Sequence, residues 1–125
     1  MKILIPISLG ELYDKISILE IKKELIKDPI KLENISKELD ELVKISIKYP
    51  IDYDLYEKIK KINLSIWNIE DKIRKCEHIR LFDQYFVSLA RSIYHNNDKR
   101  AEIKREINLK YGSDIIEEKS YEKYN

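Results

Sequence analysis

Between Leu55 and Ile73 the chain carries an aliphatic residue at every third or fourth position: Leu55, Ile59, Ile62, Ile66, Ile69 and Ile73. Alternating steps of four and three match the helical turn and do not fit the every-second-residue pattern of a half-buried strand. Such a helix presents one narrow apolar seam, suited to packing against near-antiparallel helices. The spacing predicts a helix over 53–77, roughly 36 Å long at about 1.5 Å per residue. A seam of that length obliges the rest of the chain to supply partner helices.

The flanking segments can do so. Ser8 and Glu11 match a capping box, with Ser8 accepting from an early helical N–H and Glu11 reaching back. The helix that follows, 9–27, places Leu12, Ile16, Leu19 and Ile26 in one row and Ile18, Ile21 and Leu25 in a second. Two rows make a broad apolar face, which marks this helix as central. Asp28-Pro29 closes it and opens the next, because aspartate caps and proline loses nothing at the first helical position. That second helix, 29–47, carries Leu32, Ile35, Leu39 and Leu42. Tyr49-Pro50 ends it, since the residue before proline avoids helical angles.

Asp52 is the candidate cap of the third helix and Asp83 of a fourth, 83–111, whose expected buried face is Phe86, Leu89, Ala90, Ile93 and Tyr94. Asn96-Asn97-Asp98 either divides this helix or is carried through it to Tyr111, where Gly112 is a natural stop. Residues 1–7, β-branched and interrupted by Pro6, form an extended arm or edge strand. Residues 113–125 form a polar tail, loose at its end. The expected fold is all-α: one domain, 1–125, an antiparallel up-down bundle of about four helices with a short extended N-terminal arm.

Charge narrows the function classes. The chain has 24 Lys and Arg against 23 Asp and Glu, a net charge of +1. The signs alternate, as in Lys99-Arg100-Ala101-Glu102, which marks solvated helix flanks and argues against a nucleic-acid partner. No apolar run approaches the roughly 20 residues of a membrane span. A single cysteine, Cys76, permits no intrachain disulfide and fits a reducing, cytoplasmic location. Two glycines in the whole chain cannot build a phosphate-cradling loop. Cys76, His78, His95 and Asp98 match no zinc spacing, so neither metal nor cofactor is expected. The serines have no identifiable partner base.

Beside the seam runs a second row, Asn63, Trp67, Glu70 and Arg74, with Asp71 adjoining. On the fourth helix the apolar row gives way to Asn97, Arg100, Lys104 and Asn108. Either this stripe emerges into water, the commoner outcome for long charged side chains, or it lines a polar pocket between helices. In the second case Trp67, Glu70, Asp71, Arg74, Arg91, Asn97, Arg100 and Lys104 are the candidate ligand-binding set. Guanidinium groups would then seat a phosphate or carboxylate. Trp67 is a core or interface anchor on the plain reading and a stacking platform on the functional one.

Several stretches resemble a family of small helical bacterial and phage proteins of unknown function, some encoded near surface-polysaccharide genes. They are Ser8 through Lys22, Ile66 through Arg74, Ala90 through Tyr94, Asn97 through Lys104, and Glu117 through Tyr121. The resemblance transfers no catalytic residue. It implies that the tail through Tyr121 belongs to the domain, and it includes the polar residues just named. Two functions follow as expectations. One is a protein–protein interaction or accessory module, homodimeric and linked to surface-polysaccharide synthesis. The other is a small all-α enzyme or binder of an anionic metabolite, an analogy of fold alone.

Overall fold

Three of the four helices begin where a side chain satisfies one or two of the first free N–H groups. The computed structural model describes residues 1–124 and holds four helices: α1 (Leu9–Leu25), α2 (Pro29–Ser46), α3 (Tyr53–His78) and α4 (Gln84–Lys110). Ser8 Oγ accepts from the Glu11 N–H at 3.1 Å. Asp28 Oδ1 accepts from Ile30 and Lys31 at 2.9 and 3.3 Å, and Asp83 Oδ1 from Phe86 at 3.2 Å. Two expectations change. The Glu11 carboxylate leaves the capping box for Lys104, where a buried ammonium is the stronger partner. Asp52 makes no capping bond; its carboxylate pairs with Lys110 instead.

Helix ends fall within two residues of those expected, an ordinary consequence of fraying and capping. Asn96-Asn97-Asp98 does not divide α4, because Asn96 Nδ2 donates to the Ser92 carbonyl one turn back at 2.8 Å. At its far end Gly112 takes φ +66°, and the Ser113 N–H closes on the Asn108 carbonyl at 2.8 Å. This is a Schellman cap, and it needs a residue without Cβ penalty at that position.

α3 and α4 form a long antiparallel hairpin, the most extensive helix pair, while α2 packs on α1 alone. α1 touches all three other helices. Along α1 the contacts pass from α4 to α3: Gly10 meets Asn108, Glu11 meets Lys104, Ser17 meets Asn63, and Glu24 meets Lys60. The central helix therefore crosses the hairpin near one end. The core gathers at that crossing, with Leu12, Ile16 and Leu19 from α1, Ile35 and Leu39 from α2, and Leu55, Ile59 and Ile107 from the hairpin.

Farther out no other helix covers the hairpin. Of the predicted seam, Leu55 and Ile59 are buried, whereas Ile62, Ile66, Ile69 and Ile73 are half-buried. On α4 Leu89 is buried, Phe86, Ala90 and Ile93 are half-buried, and Tyr94 is exposed, contrary to its expected place in the core. Two helices cannot cover each other's full circumference, so a third side stays open.

The termini have no strand among the described residues. The arm is extended, with Ile3, Leu4 and Ile5 exposed and Lys2 paired to Glu41 at 3.2 Å. The tail differs from expectation. It runs back along α4 and is tied to it: Arg105 pairs with Glu118 at 3.1 Å, and Tyr124 Oη donates to Asp98 at 2.6 Å while its ring packs edge-on against Tyr94 and His95. Of the residues expected to be loose, Asn125 lies outside the described residues.

Candidate functional site

The site starts from a glycine. A Cβ on Gly10 would lie 2.6 Å from the Lys104 carbonyl oxygen and 3.0 Å from its Cα, so only glycine lets the α1 and α4 backbones touch here. The Gly10 N–H donates to Asn108 Oδ1 at 2.7 Å. This close approach turns one face of α4 onto α1. Asn108, Lys104 and Arg100 lie at helical steps of four along that face, and Asn97 stands three residues before Arg100. The polar stripe of α4 is thus set between helices; Asn108 is fully buried and the Lys104 side chain is only 14% exposed.

Burying charge is costly unless it is paired. Lys104 Nζ meets Glu11 at 2.5 Å, Glu117 at 3.2 Å and Asp14 at 3.6 Å. Burial pushes this ammonium down, but the Glu11 hydrogen bond and the charges of Asp14, Glu11 and Glu117 outweigh it, and its pKa is raised. Glu117 is the mirror case: burial pushes its carboxyl up, and the Ser8 hydroxyl at 2.8 Å with the Lys104 charge brings it below its ordinary value. Together they bind α1, α4 and the tail at one point.

Asp14, buried on α1, also accepts from Asn63 Nδ2 at 2.7 Å, and the same amide donates to Ser17 Oγ at 2.7 Å. Asn63 Oδ1 in turn accepts from Arg100 Nη1 at 3.1 Å, while Arg100 Nη2 donates to Asn97 Oδ1 at 2.8 Å. Arg100 is therefore held by two amide oxygens. No carboxylate among the described residues lies within ion-pair distance of it.

A cleft of about 330 Å³ opens beside that guanidinium. Ile18 of α1 with Ile66 and Trp67 of α3 form its apolar wall. Glu70, Asp71 and Arg74 continue along α3, and Arg100 with Asn63 lines it from the hairpin's inner side. Glu70 and Arg74 pair with each other at 3.1 Å, the arginine 73% exposed.

Of the candidates from sequence, Trp67, Glu70, Asp71, Arg74 and Arg100 border this one cleft. Asn97 orients Arg100 and lines a second hollow of about 510 Å³ under the tail, beside Tyr94, Tyr121 and Tyr124, which Arg100 also borders. Lys104 lies one turn away, occupied by carboxylates, and Arg91 is exposed on the hairpin and lines neither hollow. Arg74, Arg91 and Lys104 thus do not converge. Sequence reasoning gave Asp14 and Ser17 no part in the site, and placed Asn63 in its row without a role. Their signal was there: with Gly10, Asp14 and Ser17 interrupt the apolar face of α1 at steps of four and three. A hollow larger than these two, about 940 Å³, lies under the arm, walled in part by aliphatic side chains such as Ile3, Ile5, Leu42 and Ile45.

Among the described residues no three His, Cys, Asp or Glu side chains gather as metal ligands would, and no helix is long and apolar enough to cross a membrane. Fold and site define an all-α four-helix protein with a charged cleft where its central helix crosses a long hairpin. The chain belongs to the Family of unknown function (DUF6165), whose model matches residues 1–124. No curated protein and no solved structure matches it.

Proposed function

We propose that the chain is a binding protein whose cleft takes a small anionic ligand, with a phosphate or carboxylate on Arg100 and the body of the ligand against Trp67. The observation that supports this reading is the state of Arg100. A guanidinium offers five N–H donors in a planar fork, and two of them are held by Asn63 and Asn97. Among the described residues the others have no protein partner and the charge has no counter-ion. A partly buried, pre-oriented guanidinium beside an indole suits an oxyanion on a small organic scaffold. The role beside surface-polysaccharide synthesis, which rests on the family resemblance, makes sugar phosphates the first organic ligands to try.

Trp67 is the lone tryptophan, so its fluorescence reports the cleft directly. Titration with inorganic phosphate and with sugar phosphates is expected to change that emission saturably, and Arg100→Gln to abolish the change. An emission unmoved by every anion, or a response retained in Arg100→Gln, would overturn the proposal.

A second reading, self-association as an interaction or accessory module, is favoured by the hairpin tip. Ile79, Phe82, Tyr85 and Val87 stand exposed there on neighbouring turns. Light scattering that gives a monomer at all concentrations, unchanged by Phe82→Glu, would end it.

A further inference from the structure

The charges around the cleft narrow the class of ligand. Four ionised side chains border it: Glu70, Asp71, Arg74 and Arg100. Glu70 and Arg74 neutralise one another across one helical turn. Asp71 and Arg100 are left, one negative and one positive, and neither has an ion-pair partner among the described residues. A site built for a simple anion has no use for an unpaired carboxylate on its rim, because that charge repels the ligand Arg100 attracts. Opposite free charges in one cleft complement opposite charges on one molecule.

We infer that the cleft takes a zwitterion, a small molecule that sets its anionic group on Arg100 and a protonated amine against Asp71, its apolar or ring portion lying along Trp67. This rests on the reading of the cleft as an anion site and adds the second charge. The geometry separates the two roles. Arg100 is anchored to Asn63, and Asp71 follows Asn63 by eight residues on α3, about 12 Å along the helix axis. The two ligand charges should therefore be several bonds apart. Trp67 lies between these positions on the same helix and would meet the connecting atoms. The volume of about 330 Å³ holds a molecule the size of a phosphorylated hexose and little more.

A matched pair of probes tests this. Glucosamine 6-phosphate and glucose 6-phosphate differ by an amine in place of one hydroxyl, and inorganic phosphate supplies the anion alone. With Trp67 emission and calorimetry as readouts, glucosamine 6-phosphate is expected to bind about fivefold tighter than glucose 6-phosphate, the advantage of one solvent-accessible ion pair. Asp71→Asn should remove that advantage and leave glucose 6-phosphate binding intact or improved. Arg100→Gln should abolish the binding of both. If glucosamine 6-phosphate binds no tighter than glucose 6-phosphate, or keeps its advantage in Asp71→Asn, the zwitterion inference is overturned while the anion site stands. If neither sugar phosphate nor inorganic phosphate binds, the anion site itself falls, and this inference with it.

Discussion

The clasped end of the α3–α4 hairpin and its free tip are built from the same kind of helix, yet they are buried differently. Where α1 crosses, Ile59 and Ile107 are 0% exposed and the buried polar side chains all find partners. At the tip, Phe82 is 52% and Tyr85 49% exposed, and only Cys76 and Leu89 are closed off from water. Periodicity is similar in both; the number of neighbouring helices is not. Apolar spacing makes a surface available for burial, and a third helix decides whether it is used.

That contrast predicts unequal costs for equal substitutions. Ile59→Ala should lower stability by about 3 kcal/mol, through lost transfer energy and the cavity left in a site with no room to collapse. Ile73→Ala, half-buried at the tip, should cost about 1 kcal/mol because water already reaches that side chain. Urea denaturation of the two variants checks the difference, and equal costs would mean that the tip is covered in solution. A next smaller effect tests the clasp itself. Gly10→Ala should destabilise by about 2 kcal/mol, since the added methyl meets the Lys104 backbone and the gain in helix propensity cannot offset that overpacking. A neutral or stabilising Gly10→Ala would break the account of why α1 sits where it does.

The smallest effect concerns pH. Because Glu117 titrates below its ordinary value of 4.5, its contribution is complete above that pH and is lost as pH falls through the lower, folded value. Lys104, raised above its ordinary 10.5, contributes fully below that and is lost only as pH rises through its folded value. The tie between α1, α4 and the tail is therefore intact across the neutral range and fails first in acid. Glu117→Gln should flatten the acid limb of the stability curve, read as melting temperature on either side of pH 4.5, while leaving the alkaline limb in place. An unchanged acid limb would show that the tail contributes nothing to the clasp.

Much of the fold was legible beforehand. Aliphatic spacing located four helices, and Ser8, Asp28 and Asp83 act as caps where their position in front of an apolar run suggested. The site was legible in part. Trp67, Glu70, Asp71 and Arg74 share one face of a single helix, so helical spacing alone groups them. Arg91 stood apart because it lies on the hairpin away from the crossing. Asp14 and Ser17 went unassigned because a polar residue on an apolar face acquires meaning only when a partner such as Asn63 is known. The ties of the tail escaped the periodicity, although the family resemblance implied that the tail through Tyr121 belongs to the domain: contacts at Glu117, Glu118 and Tyr124 bring together residues far apart in sequence, with no periodic signal.

Helix content, helix limits and the breadth of the α1 apolar face were settled by the chain itself, since each depends on residues within a few turns of one another. The convergence of Asp14, Asn63 and Arg100 was decided by tertiary structure. It requires three helices to meet at one crossing, and that crossing is set by how closely two backbones approach at Gly10. No local pattern carries the angle or the distance. The same physics leaves Arg100 oriented by two amides and, among the described residues, without a counter-ion, which is what turns a polar stripe on a helix into a candidate site.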